Sequence, residues 1–189
     1  MSEQIVPSVV FDAPGPANTD RTLQVARERA AALGVRTILV ATTEGDVALR
    51  ALEALSGFDL IFVTHAAGFS GANTQQLDAA RRKALEDAGA RVLTCMHALG
   101  GVGRAVRKKF ATYELAEIVA HTLRLFGQGM KVCVEIALMA ADAGLVTVGE
   151  PCVAVAGTGK GADTAVLLVP ANVSDFFDLR IAEVLAKPR

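Results

Sequence analysis

Thr37-Ile38-Leu39-Val40-Ala41-Thr42-Thr43-Glu44-Gly45 decides the fold. Five successive aliphatic or β-branched residues suit a strand covered on both faces, and the change at Thr42 to small polar residues and glycine marks a turn into a helix. The pattern recurs. Leu60-Ile61-Phe62-Val63-Thr64 runs into His65-Ala66-Ala67-Gly68-Phe69, and Arg91-Val92-Leu93-Thr94-Cys95 into Met96-His97-Ala98-Leu99-Gly100-Gly101. Cys152-Val153-Ala154-Val155-Ala156 runs into Gly157-Thr158-Gly159-Lys160. As parallel strands, these runs place their polar loops on one edge of a sheet, where open α/β folds bind ligands.

The intervals have helical spacing. Asn18 or Thr19 caps a helix reaching Leu33, with Leu23, Ala26, Ala30 and Leu33 on one side and Gly34 as its stop. A second helix spans Glu44 to Leu55, and a third carries Leu77, Ala80, Ala84, Leu85 and Ala88 before Gly89. From Gly100 to Leu145 the chain reads as helix, broken at Gly127-Gln128-Gly129, with Met130 to Leu145 buried on most sides. Val9-Val10-Phe11 forms a short strand, Thr164 to Val169 returns antiparallel to Cys152–Ala156, and Ile181 to Leu185 adds strand character.

The 189 residues, 52% hydrophobic and 21% charged with a formal net charge of -1, predict one domain with a substantial core. That balance offers no electrostatic reason to bind nucleic acid or an anionic membrane. Cys95, Cys133 and Cys152 lie in apolar runs, an odd set without metal-ligand spacing, and read as buried thiols of a reducing cytoplasm. The first residues show no secretion signal.

Several segments invite a chemical reading. The Thr42-Thr43-Glu44-Gly45 turn is either a phosphate seat, with free helix N–H groups and two hydroxyls, or a plain helix cap. Gly157-Thr158-Gly159-Lys160-Gly161 fails as a nucleotide P-loop, because Ala154 and Gly161 stand where Gly and Ser or Thr are needed. It reads as a flexible turn, either solvated or carrying Lys160 towards an anion. His65 and His97 follow strands, so each is a candidate acid or base or a partner of loop backbone. His121 reads as packed in a core or in a subunit contact, and Arg104, Arg107, Lys108 and Lys109 as a solvated basic face. Asp163 orders the Gly-rich turn, and Glu135 pairs with a basic neighbour. No metal trio is apparent.

The strand-and-loop segments beginning at Ile38, Ile61, Cys152 and Asp163 resemble the C-terminal α/β domain of pyruvate kinase. With Pro14–Thr19, Thr64–Phe69, Ala120–Arg124, Phe126–Gly129 and the ending Phe176–Leu179 and Leu185–Arg189, the chain is similar to small stand-alone proteins built on that domain. The resemblance implies a three-layer αβα fold with a mostly parallel sheet, core order 3-2-1-4-5 and the last strand antiparallel. Those strands start near Thr37, Leu60, Arg91, Cys152 and Thr164. The order then reverses between the first and fourth, which puts a ligand between the Thr42 and Gly157 loops. The pyruvate kinase barrel, where phosphoryl transfer occurs, has no counterpart here, so the kinship implies a ligand site without the kinase reaction.

The resulting expectation is a cytoplasmic, homo-oligomeric protein binding a phosphorylated small molecule, with flavin mononucleotide (FMN) the ligand that the stand-alone group suggests. Phosphate is assigned to Thr42, Thr43 and Gly45, with Glu44 in the same binding loop but pointing away from it and Gly157, Thr158, Gly159 and Lys160 closing over it. The ring is assigned to His65, Gly68, Phe69 and His97. One alternative is an enzyme, a flavin-dependent reductase or an isomerase or lyase of a phosphorylated metabolite, using His65 or His97. The other is a regulatory or oligomerisation module, joined through Met130–Leu145 and Glu114–Phe126.

Overall fold

The computed structural model describes residues 3–189. In chain order the elements are β1 (Val9–Phe11), α1 (Thr19–Leu33), β2 (Thr37–Ala41), α2 (Asp46–Ala54), β3 (Asp59–Thr64), α3 (Ala79–Asp87) and β4 (Arg91–Thr94). There follow α4 (Gly101–Phe110), α5 (Leu115–Arg124), α6 (Gln128–Asp142), β5 (Cys152–Ala156), β6 (Thr164–Val169) and β7 (Arg180–Pro188). The strands form one sheet ordered β1-β7-β6-β5-β2-β3-β4. Its centre, β4-β3-β2-β5-β6, is the 3-2-1-4-5 order that the resemblance implies, and β6 is its antiparallel strand. β7 pairs antiparallel with β6 and parallel with β1, extending the sheet beyond that centre.

Alternation along the strands divides the core in two. Ile38 and Val40 of β2, with Val153 and Val155 of β5, pack under Leu23 and Ala26 of α1 and Ala48 and Ala51 of α2. Leu39, Ala154 and Ala156 face the other way and pack under Met130, Cys133, Ile136 and Ala137 of α6. Helix α6 is therefore an internal layer, and α5 packs outside it. The apolar surface of Met130–Leu145 is largely consumed within the chain. On α5, Leu115 and Ile118 remain exposed, as do Leu125 and Phe126 just after it. Among the described residues, no helix is long and apolar enough to cross a membrane.

Three local expectations change. Asn18 stands at the N-cap of α1, but its amide donates to Ala13 O and makes no cap bond; a 3-10 turn at Pro16–Asn18 leads into the helix instead. Leu33 is exposed at the last turn. Of the apolar positions assigned to the third helix, only Leu77 and Leu85 are buried. Leu77 precedes α3, whose true cap is Asp78, accepting from Arg81 N–H. The helix is otherwise a solvated surface laced by pairs such as Lys83–Asp87. Cys133 and Cys152 are fully buried free thiols, whereas Cys95 is half-buried. Burial pushes the Cys152 thiol up to about 12 and that of Cys133 further still, so both stay protonated.

The first turn of α6 presses onto the start of β6. A Cβ at Gly129 would lie 2.1 Å from Thr164 Oγ1 and 2.5 Å from Thr164 Cβ. Gly129→Ala is expected to destabilise the fold by about 2–3 kcal/mol, the cost of an overpacked contact that a single rotamer change does not relieve. Urea unfolding measures it; an unchanged midpoint would show that helix and strand separate freely here.

Candidate functional site

Because β2 and β5 are parallel neighbours, the loops after Ala41 and Ala156 emerge side by side. Between them and the α4–α6 layer lies a cavity of about 870 Å³. Thr42, Thr43, Glu44, His65, Phe69, His97, Gly157, Gly159 and Lys160 all reach its wall. Gly45, Gly68 and Thr158 do not. Gly45 caps α2 with φ 103°, and a Cβ there would crowd Leu77 and Arg81. The Gly68 N–H is bonded to Thr74 O, and the Thr158 N–H to Asp163 Oδ2.

The Thr42 loop turns directly into α2, so its backbone points the positive end of that helix at the cavity. Thr42 is only 5% exposed, and its Oγ1 has no hydrogen-bond partner in the protein. Glu44, the poor neighbour for an anion, extends towards Lys160 Nζ at 3.7 Å. The Gly157–Gly161 turn is better fixed than a flexible loop. Asp163 accepts from Thr158 N–H and Gly15 N–H, and Gly161, at φ 79°, lies so close to Pro16 that a Cβ would meet its Cα at 2.3 Å. Asp163 therefore orders the turn and ties it to the segment before α1.

Across the cavity the aromatic groups form one cluster. The His65 and Phe69 ring centroids are 4.0 Å apart, His97 lies 5.0 Å from Phe69 and 5.3 Å from His65, and Arg104 stacks on Phe69 at 4.5 Å. His65 Nδ1 is 2.7 Å from Gln76 Oε1, within hydrogen-bond distance. The partner is thus a side chain, not loop backbone.

The layer from α4 to α6 contributes what the sequence reading missed. Arg104 and Arg107 turn inward, leaving Lys108 and Lys109 as the solvated basic face. Arg107 Nε pairs with Glu117 Oε1 at 2.6 Å, while Glu117 Oε2 is buried without a partner. His121 is exposed and borders the cavity, so it is not packed in the core of this chain. Lys131 and Glu135, one turn apart on α6, bond to each other at the cavity wall, and Glu135 Oε1 also accepts Leu99 N–H at 3.1 Å. Glu135 thus pairs with a basic neighbour as the sequence led us to expect; the position of the pair on the cavity wall is what the sequence did not show. Arg50, Arg104, Arg107, Arg124, Lys131 and Lys160 outnumber Glu44, Asp46, Glu117 and Glu135 on the wall, a balance that favours an anionic guest.

His97 Nδ1 stands 3.9 Å from Glu135 Oε2. Burial lowers the His97 pKa and outweighs the opposing pull of Glu135, with His65, Lys131 and Arg104 lowering it further. Burial also lowers that of Lys131 against the same carboxylate. His97 should titrate by NMR below its ordinary 6.5, and Glu135→Gln should lower the midpoint again by removing the one influence that raises it. A wild-type midpoint at or above 6.5 would mean that the carboxylate prevails over burial.

The family described as pyruvate kinase, alpha/beta domain, matches residues 20–169. Among solved structures, a pyruvate kinase from Cryptosporidium parvum is 14% identical, with 80% of this chain and 22% of that one covered and a TM-score of 0.42. A second structure of C. parvum pyruvate kinase is 15% identical over 84% of this chain and 23% of that one, TM-score 0.42. The C. parvum enzyme in complex with ADP is 15% identical over 87% and 24%, TM-score 0.40. This chain spans less than a quarter of each of those proteins. The family match extends over most of its residues, and the chain belongs to the pyruvate kinase α/β-domain family.

Proposed function

We propose that this α/β domain binds a phosphorylated small molecule in the β2–β5 cavity, and that FMN is such a ligand. The observation that carries the reading is Thr42 Oγ1, a buried hydroxyl without a protein partner beside the N-terminus of α2. Phosphate oxygens would satisfy it, together with backbone N–H groups at the helix start and the Thr43 hydroxyl. Lys160, 80% exposed at its side chain, sits at the mouth and can swing from Glu44 to the phosphate. A cavity of about 870 Å³ suits a mononucleotide, and the His65–Phe69–His97 cluster with Arg104 offers flat apolar and cationic surface to an aromatic ring system. When bound, a flavin supplies hydride and single-electron chemistry. The protein's share in this reading is to hold the phosphate and pack the ring.

Titration of the protein with FMN and with riboflavin, followed by flavin fluorescence, tests the phosphate seat. FMN is expected to bind more tightly than riboflavin. Thr42→Val, which keeps the shape and removes the hydroxyl, should weaken FMN binding roughly 10- to 100-fold, the range for a hydrogen bond to a charged group. Riboflavin affinity should not move. Equal affinities for the two flavins, or a Thr42→Val protein that binds FMN as the wild type does, would remove the phosphate from this loop.

A further inference from the structure

We propose that His97, Lys131 and Glu135 form an acid–base centre that enolises a phosphorylated hydroxyketone or hydroxyaldehyde held in the same cavity. The proposal rests on the phosphate half of the preceding reading and is independent of its flavin half.

The geometry begins with α6. Its neighbours Met130, Cys133, Ile136 and Ala137 are core residues, yet Lys131 and Glu135 are 7% and 3% exposed among them and both reach the cavity wall. Glu135 is fully engaged, with one oxygen on Lys131 and the other on Leu99 N–H. Lys131 is not. An ammonium carries three donors, and Glu135 is the acceptor it has among the described residues, so two N–H groups are left for a guest. Fixed donors in a site shielded from water are what a developing oxyanion needs. The His97 ring, also on the cavity wall, makes no hydrogen bond among the described residues and lies beside the same carboxylate. Farther along the wall, the free Glu117 Oε2 accepts hydroxyl hydrogens, which a polyhydroxylated substrate supplies.

The step balances without an added oxidant or reductant. The neutral His97 imidazole takes the proton from the carbon next to the carbonyl, and the C–H electron pair becomes the carbon–carbon double bond of an enediolate. The carbonyl π pair moves onto oxygen, where the Lys131 ammonium bonds it. The imidazolium then returns a proton to either carbon, regenerating the substrate or shifting the carbonyl, with the hydroxyl proton exchanged through water. Glu135 is the positioning residue, holding the Lys131 ammonium and facing His97.

The test uses D-ribulose 5-phosphate, whose phosphorylated terminal oxygen cannot close a ring, so its carbonyl is permanently available. The full chain is incubated with it in D₂O; 31P NMR reports binding and 1H NMR reports deuterium entering at C1 or C3, the two carbons next to the carbonyl. Binding with exchange above the buffer rate is expected, and His97→Gln should lower exchange about 100-fold or more while 31P binding persists. Because removing one partner of a buried ion pair risks the fold, Lys131 is tested as the paired variant Lys131→Met/Glu135→Gln, which withdraws both charges together. It should bind and fail to exchange. Glu135→Gln alone, once its circular dichroism spectrum shows it folded, should move the pH profile of exchange in step with the NMR midpoint of His97, which a purely structural role would not do. Binding without exchange overturns the acid–base centre and leaves the phosphate seat standing. FMN bound with D-ribulose 5-phosphate ignored overturns it too; if neither binds, the phosphate reading falls with it.

Discussion

The parallel pairing of β2 with β5 is the constraint on which the site depends. Ile38, Leu39 and Val40 lie opposite Val153, Ala154 and Val155, and the alternation of side chains fixes that register from both faces. A slip by one residue would carry Leu39 into the layer of α1 and α2 and send Ile38 and Val40 under α6, exchanging two packed cores. The loops after Ala41 and Ala156 therefore have a set height relative to each other. One strand continues into α2 and the other turns back into β6, so the chain diverges where the strands end. The crevice between them is a result of topology, and the residues at the two turns determine only what it recognises.

Recognition is visible in how the polar groups are distributed. Protein interiors pair nearly all their buried polar atoms, since each one left alone costs about 1–3 kcal/mol. Among the described residues, the buried side-chain atoms without hydrogen bonds are Thr42 Oγ1, Arg107 Nε and Glu117 Oε2, and all three residues line the same cavity. Thr42 is a hydroxyl at the positive end of a helix, and Glu117 an acceptor across from it. A guest that completes both would offer a hydrogen-bond partner to the Thr42 hydroxyl and a donor to the Glu117 carboxylate. That description fits a phosphorylated polyol, whether or not a ring is attached to it.

Much of this was legible in the chain, for reasons that also explain what was not. The strands announce themselves because a strand covered on both faces needs an unbroken apolar run, and Thr37–Ala41, Leu60–Thr64 and Cys152–Ala156 each satisfy that need. The loops follow, since whatever ends such a run must face the sheet's edge; Thr42, His65, Phe69, His97 and Lys160 reach the cavity by this logic. Helix faces are harder. Position along a helix fixes which side a residue takes, but not which element covers that side. Arg104 and Arg107 look like solvent residues until α5 is laid beside α4, and Ala80 and Ala84 look like core residues until α3 proves to rest on Leu85 alone. Glu117, 75 residues along the chain from Thr42 on the same cavity wall, gives no local sign of its place there.

The Lys131–Glu135 pair shows why local rules stop at such places. In α6 every core rule argues for two more aliphatic residues, and apolar replacements of a buried ion pair are commonly neutral or even stabilising. The pair therefore gains the fold little that Met and Leu could not supply. What it adds is chemical: an ammonium with donors to spare, a carboxylate that anchors both it and the Leu99 backbone, and an imidazole within 3.9 Å of that carboxylate. Burial acts on both cations of the arrangement, disfavouring their charged forms and so lowering the pKa of His97 and of Lys131 alike. Helix α6 thus departs from its apolar pattern at Lys131 and Glu135, two of the positions that border the cavity, and keeps it at Met130, Cys133, Ile136 and Ala137, which pack on the sheet.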